Sequence, residues 1–341
     1  MRIIFFTGYP GFLGSALLPR ILTRDASATA VCLVQPKFAA LARERARELG
    51  DRVHILEGDI TAPINFSPAD VAEIYHLAAV YDLSVARDTG MRVNVNGTRN
   101  VLDFAERCTS LKRLHYMSTC YVSGRHDGVF REEDLDVGQR FNNFYEETKF
   151  LAEVDVRKHT HIPSTIYRPS VIVGDSRTGA TQKYDGPYYL IQWIARQPRI
   201  AIVPVVGRTT RYRFNVVPRD FIVGAIDYLS GALPAPAARC YQLADPEPLT
   251  VDALLSLFAA ATDRKIIRIR LPFAIAKLGA PMLRIPPAAV NYFTHPTTYD
   301  TTNAQRDLAG SGVSLPRFSD YASRLIEFFR AHPDIGAAGM A

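Results

Sequence analysis

Three glycines spaced G-x-x-G-x-x-G at the head of the chain, Gly8, Gly11 and Gly14, constrain its fold more than any other feature. Before them, Arg2 to Phe6 is a short apolar run, too brief for a helix and suited to a buried parallel strand. After them, an amphipathic pattern begins at Phe12, with Leu13, Ala16, Leu17 and Ile21 at helical spacing. A glycine triplet alone is a weak signal, but a strand before it and a helix after it make a nucleotide-binding junction. Gly8 suits the tight turn, Gly11 lets a pyrophosphate approach backbone N–H groups, and Gly14 allows close packing of helix on strand. The helix N-terminus adds unpaired donors and a partial positive charge.

Strands and helices then alternate through the first half. Further strands are expected at Ala28–Val34, Val53–Leu56, Glu73–Leu77, Arg113–Met117 and Thr165–Tyr167, with helices over Lys37–Leu49 and about Met91–Arg107. Such repeats predict an α/β fold with a doubly wound parallel sheet and a ligand crevice beyond the carboxyl ends of its strands. From Asp175 prolines thicken and aromatics gather at Tyr184, Tyr188, Tyr189 and Trp193, which suit either an apolar pocket or ordinary packing. Arg219–Leu229 and Cys240–Leu243 read as a helix and a strand returning to the sheet, with a loop at Gly231–Pro236 between them. Later pieces include helices at Val251–Ala261 and Tyr321–Ala331, a strand at Ile266–Arg270, and a tail from Asp334 expected to fray. The resulting division is a nucleotide domain over 1–174, completed by about 212–244, and a smaller substrate lobe from 175–211 and 245–335. At 341 residues with 48% hydrophobic content, the chain is large enough for both.

The net charge of +6 is spread among acids, and no basic run is interleaved with stacking aromatics, so nucleic-acid binding is not expected. Cys32, Cys108, Cys120 and Cys240 lack any C-x-x-C spacing and read as buried thiols in a reducing compartment. No apolar run reaches membrane-spanning length, since Lys277, Pro281 and Arg284 interrupt the best candidate. A soluble cytoplasmic location is the expectation, with no metal site. Arg196, Arg199, Arg208, Arg211 and Arg213 stand in one stretch without acids. That stretch suits a solvated basic loop or capture of a phosphate on a long substrate.

Ser118-Thr119-Cys120-Tyr121-Val122-Ser123-Gly124 follows the strand at Arg113–Met117, and a hydroxyl there faces the crevice. Tyr145 comes 26 positions after Thr119, and Lys149 stands at i+4 on the same helical face. Together with the glycine loop, GDI at Gly58–Ile60, HLAA at His76–Ala79, VNVNGT at Val93–Thr98 and YRPSVIVG at Tyr167–Gly174, this pattern resembles the extended short-chain dehydrogenase/reductases. Within them it is most similar to the branch of fatty acyl-CoA reductases and thioester-reductase domains. The cues are Gly11-Phe12-Leu13-Gly14, S-T-x-Y-V-S-G and Phe214–Phe221.

The resemblance implies Tyr145 as general acid, Lys149 as the cation that favours its phenolate and binds ribose, and Thr119 as the carbonyl-orienting hydroxyl. Asn94 would hold a structural water or pack its helix. Thr7, Gly8, Gly11, Phe12, Leu13 and Gly14 would cradle the pyrophosphate. Asp59 and Ile60 would flank adenine, Leu77, Ala78 and Ala79 the phosphate and ribose side, and Arg168, Pro169, Ser170 and Val171 the nicotinamide amide. No acid ends the Ala28–Val34 strand to bind a free ribose hydroxyl, and Gln35 with Lys37 suits a 2′-phosphate, so NADPH is expected over NADH. The branch usually has an arginine at that strand end, and small residues where this loop carries Tyr9-Pro10. The implied activity is hydride transfer to an apolar acyl thioester, aldehyde or ketone, a substrate that can be CoA- or carrier-protein-linked, by a chain that can form a homodimer. A hydroxysteroid-like or other secondary-alcohol dehydrogenase or epimerase, and a non-catalytic NADP-binding redox sensor, are the other readings.

Overall fold

The computed structural model describes residues 2–232 and 239–336. Strands β1 (Arg2–Thr7), β2 (Ala28–Val34), β3 (Val53–Glu57), β4 (Val71–His76) and β5 (Arg113–Met117) come first. They are followed by β6 (Gly128–Phe130), β7 (Ser164–Pro169), β8 (Val171–Val173) and β9 (Ile200–Val205). The last four are β10 (Val216–Pro218), β11 (Arg239–Leu243), β12 (Lys265–Arg270) and β13 (Thr297–Tyr299). Seven of them form one sheet in the order β11-β7-β5-β4-β1-β2-β3, with every neighbouring pair parallel. The chain moves outward from β1 in one direction and from β4 in the other, so the crevice opens at the carboxyl ends of these two strands.

Helices α1 (Gly14–Arg24), α2 (Pro36–Arg47), α3 (Arg87–Gly90), α4 (Gly97–Arg107) and α5 (Phe144–Lys158) belong to the first half. The second half holds α6 (Tyr188–Ala195), α7 (Arg219–Ala232), α8 (Val251–Thr262), α9 (Phe273–Gly279), α10 (Thr302–Leu308) and α11 (Phe318–Ala331). The apolar runs of the central strands are read on both faces: β2 (ATAVCLV) is buried at every position. On one side Leu17, Leu18 and Ile21 of α1 share a core with Ile222 and Ile226 of α7. On the other, Val101, Leu102 and Phe104 of α4 meet Ala152 and Val156 of α5. A separate core gathers Tyr188 and Ile191 of α6, Leu254 and Phe258 of α8, and Leu325 of α11, beside a two-stranded β9–β12 sheet.

Several elements differ from the sequence expectation. Phe12 and Leu13 sit in the turn, and α1 begins only at Gly14. The helix expected over Met91–Arg107 opens as a π-turn, Met91–Asn96, before α4. Gly231 and Ala232 still belong to α7, whereas the rest of the Gly231–Pro236 loop and the tail beyond 336 lie outside the described residues. Strand β9 went unread because Pro204 interrupts it. In a two-stranded sheet each strand keeps a free edge, where a missing N–H is tolerated.

Candidate active site

The crevice is built on the glycine turn. Gly8 has φ +92°, and a Cβ there would lie 2.9 Å from the Ala78 nitrogen and the Leu77 carbonyl carbon. A Cβ on Gly11 would sit 2.8 Å from the Gly8 oxygen, and one on Gly14 2.5 Å from the same atom. The loop thus closes on itself, with the Gly11 N–H donating to the Gly8 carbonyl at 3.0 Å. The amides of Phe12 and Leu13 find no backbone acceptor among the described residues, leaving donors at the mouth of α1. Arg45 donates to the Pro10 carbonyl at 2.9 Å and to Ser15 at 3.1 Å, tying α2 to the loop.

Beneath the loop runs a buried polar chain. Thr98 donates to the Asn94 carbonyl at 2.6 Å, so it accepts from His76 Nε2 at 3.0 Å. His76 Nδ1 then accepts from Thr7 at 2.8 Å, and the Thr7 oxygen accepts the Ala78 N–H at 3.2 Å. Burial, aided by the Lys149 charge, pulls the His76 pKa down to about 3, which keeps the ring neutral in this role. Tyr116 lies beside Thr98, and its hydroxyl accepts from Lys149 Nζ at 2.9 Å. Through Tyr116, Lys149 therefore lies next to the hydrogen-bonded chain that reaches the turn formed by Thr7, Leu77 and Ala78. Ala79 continues that half-buried turn at the end of β4.

Local sequence sets the helix that carries the Tyr–Lys pair. Asn143 caps α5 by accepting the Glu146 N–H at 3.0 Å, and the Glu146 carboxylate reaches back to the Asn142 N–H at 2.7 Å. Tyr145 is thereby held in the first turn, 7% exposed, beside the Thr119 hydroxyl. Thr119 in turn accepts the Tyr121 N–H at 3.3 Å, capping the short turn after β5. Burial drives the Tyr145 phenol upward against the neighbouring Thr119 hydroxyl, and the Glu146 and Asp185 carboxylates push it upward too. Lys149 makes its hydrogen bonds to Tyr116 and, at 2.6 Å, to the Met117 carbonyl, and burial lowers its own pKa to about 7. Asn94 accepts the Val80 N–H at 2.9 Å and donates to the Val80 carbonyl at 3.2 Å and Thr148 at 3.1 Å. Both its amide hydrogens go to protein groups, so it clamps the loop after β4 to α5. The π-turn that holds it is of a kind frequent at functional sites.

At the far side, Gln35 Nε2 donates to Asp59 at 2.7 Å, and Asp59 also accepts the Thr61 N–H at 2.9 Å. Ile60 is buried against Gly97, with its carbonyl accepting from Asn100. Lys37 Nζ lies 4.9 Å from the Phe38 ring centroid. On the nicotinamide side, Arg168 departs from expectation. Its guanidinium is fully buried on Glu153, at 2.7 and 3.1 Å, and holds α5 rather than the crevice. The Pro169 carbonyl lies 3.4 Å from the Thr119 hydroxyl, and Val171 starts β8. The buried Ser170 hydroxyl finds no partner among the described residues.

Sequence reading missed a second cluster over Tyr145. The Tyr81 ring meets it edge-on at 5.0 Å, and Lys183 Nζ lies 3.9 Å above the Tyr81 ring while pairing with Asp185 at 2.6 Å. These residues share no spacing with Tyr145, so only the fold brings them together. Tyr184 and Tyr188 pack in the core, whereas Trp193 lines an apolar cavity. Arg196, Arg199, Arg208, Arg211 and Arg213 lie at least partly exposed, and Arg213 donates to the Pro248 carbonyl. Among the described residues no His, Cys, Asp or Glu group could hold a metal ion, and no helix is long and apolar enough to cross a membrane.

The glycine turn, the Thr–Tyr–Lys set and the parallel sheet have counterparts in known proteins. The family described as male sterility protein matches residues 6–226. The chain is 27% identical over 259 residues, 67% of its length, to the non-canonical nonribosomal peptide synthetase cpsA of Aspergillus campestris. It is 32% identical over 205 residues, 52% of its length, to a linear gramicidin synthase of Brevibacillus parabrevis. The matches take in 24% and 4% of those two proteins, so the chain corresponds to one segment of much longer relatives. In fold it is similar to the terminal R domain from the myxalamid PKS-NRPS pathway, with TM-score 0.81, 24% identity, and 98% of this chain and 91% of that one covered. With well over half its length matched, the chain belongs to the male sterility protein family, a branch of the NAD(P)-dependent extended short-chain dehydrogenase/reductases.

Proposed function

We propose that this chain is an NADPH-dependent reductase of apolar acyl thioesters or the aldehydes derived from them, with the thioester held on CoA or on a carrier protein. The observation that carries the reading is the burial of Tyr145 beside Thr119 beyond β5, which keeps the phenol protonated. A protonated phenol is the form that gives a proton, which suits reduction. Relatives that are peptide synthetases favour a carrier-bound thioester.

The residues fit a dinucleotide. The glycine cradle leaves no room for side chains, and the unpartnered Ser170 hydroxyl stands where the nicotinamide amide is expected. Thr7, Gly8, Gly11, Phe12, Leu13 and Gly14 with Leu77, Ala78 and Ala79 would hold the phosphates and ribose, Asp59 and Ile60 the adenine, and Pro169, Ser170 and Val171 the nicotinamide. Gln35 and Lys37 would receive the 2′-phosphate. Residues 1–174 with about 212–244 form the cofactor domain, and 175–211 with 245–335 take the substrate.

When bound, the reduced nicotinamide supplies a hydride to the carbonyl carbon. Thr119 orients the carbonyl oxygen, and Tyr145 delivers its proton there as negative charge develops. For a thioester, the tetrahedral product expels the thiol to leave the aldehyde. Lys149 holds the ribose side and its charge eases re-protonation, while Asn94 fixes the loop after β4 against α5. The test is NADPH oxidation by the wild type with an acyl-CoA and with the matching aldehyde. Turnover of either, lost in Tyr145→Phe, is expected; NADPH binding without oxidation by thioester, aldehyde or ketone would favour the sensor reading.

A further inference from the structure

Twelve large apolar side chains stand exposed among the described residues, and eight of them fall within two short segments of the second half. Four belong to the outer face of the β9–β12 sheet: Ile200, Ile202, Ile267 and Ile269, each 43–54% exposed. The other four lie on α9 and the turn after it: Phe273 at 40%, Ile275 at 55%, Leu278 at 84% and Met282 at 86%. No residue of α9 is buried. The opposite side of the same segment, through Ala276, Ala280 and Leu283, roofs an apolar cavity whose other walls include Leu190, Trp193 and Val205. A surface helix apolar on both sides lacks the polar outer face that water requires.

Charge identifies what would cover it. From Arg264 to Tyr299 there are six Lys or Arg and no Asp or Glu. Lys277 and Arg284, which flank the protruding side chains, are exposed and pair with no carboxylate among the described residues. Apolar side chains projecting between cations match an interface of acyl chains beneath anionic headgroups. We propose that α9 and the following turn form an interfacial lid that docks peripherally on an anionic lipid surface, above the apolar cavity they roof. The proposal rests on the apolar-acyl reading of the site, and it needs no membrane span.

The test sediments the full chain with vesicles of phosphatidylcholine alone or mixed with phosphatidylglycerol. The expected result is binding to the mixed vesicles that weakens in high salt and falls at least ~fivefold in Leu278→Ser/Met282→Ser and in Lys277→Glu/Arg284→Glu. Because these side chains are exposed, both variants should fold and reduce a short soluble thioester as the wild type does. Absence of wild-type binding, or equal binding by the variants, would overturn the lid. So would a wild-type dimer that Leu278→Ser/Met282→Ser dissociates, which would make the occupant a second copy. Loss of turnover confined to carrier-bound thioester, without vesicle binding, would assign the face to a carrier protein. Turnover of the soluble substrate tests the functional reading separately, since its loss in the wild type would refute that reading whatever the vesicles show.

Discussion

At the Tyr145 phenol, burial raises the pKa and the neighbouring Thr119 hydroxyl opposes it, and burial wins. Tyr145→Phe keeps the ring and its edge-on contact with Tyr81 while removing the proton, so turnover should fall at least ~100-fold with NADPH affinity nearly unchanged. A near-wild-type rate would remove Tyr145 from the chemistry. Lys149 gives the pH dependence. Its ammonium is charged below about 7 and lost above it, against an ordinary value of 10.5. If that charge supports the reaction, kcat/KM of the free enzyme should decline as pH rises through about 7, and Lys149→Met should lose this limb together with most of its activity. An unchanged limb in Lys149→Met would assign it to another group. The same depressed pKa makes Lys149 oppose folding most below pH 7, with relief as pH rises from 7 towards 10.5. Thr119, Tyr145 and Lys149 were legible because two strand-end and helix spacings place them. Lys183 and Asp185 were not, because their meeting with Tyr81 depends on tertiary folding across about a hundred residues.

For α5, what matters is that the helix carrying Tyr145 and Lys149 is fastened at several points. Its first turn is capped by Asn143, and Tyr292 adds a hydrogen bond to Glu146 at 2.7 Å. Its third turn holds Glu153, which accepts from Arg168 on β7, from Ser118 after β5 at 2.6 Å, and from Arg157. Although burial opposes ionisation, these donors hold the Glu153 carboxyl below its ordinary value. Its contribution is therefore present above the ordinary carboxylate range and lost as pH falls through the lowered value. Glu153→Gln leaves the Arg168 guanidinium buried without its counter-charge, which should cost ~3–5 kcal/mol in urea unfolding. Replacing both partners, Glu153→Met/Arg168→Met, should cost less than the single change. A single-variant loss under ~1 kcal/mol would show that the pair is not what seats the helix. The strands and helices of the main sheet were readable because each is one unbroken period of apolar residues. Neither β8 nor β10 was, since three residues carry no period, and Arg168 could be misassigned because a YRPS motif does not show which way its arginine turns.

For the whole molecule, the site is shared between a neutralised crevice and a cationic exterior. The chain carries +6, and its second half exposes arginines without acids along 196–213. Such a field draws anions inward, and the attraction should decline as salt shortens the Debye length to ~3 Å at 1 M. NADPH exceeds NADH by one phosphate, and no acid ends β2 to repel it. Gln35, already oriented by Asp59 at 2.7 Å, keeps a second amide hydrogen for a phosphate oxygen. A ligand at about 100 times its Kd stabilises the folded state by ~2.7 kcal/mol. In a chain of this size that is a rise in Tm on the order of 5 °C. NADPH should give that rise at a concentration where NADH gives little, and added salt should erode the NADPH shift more steeply than the NADH shift. Gln35→Asp places a carboxylate beside both Asp59 and the 2′ position, so it should reverse the order of the two cofactors. Equal shifts by NADH and NADPH in the wild type, or an unchanged order in Gln35→Asp, would show that the end of β2 does not select the cofactor.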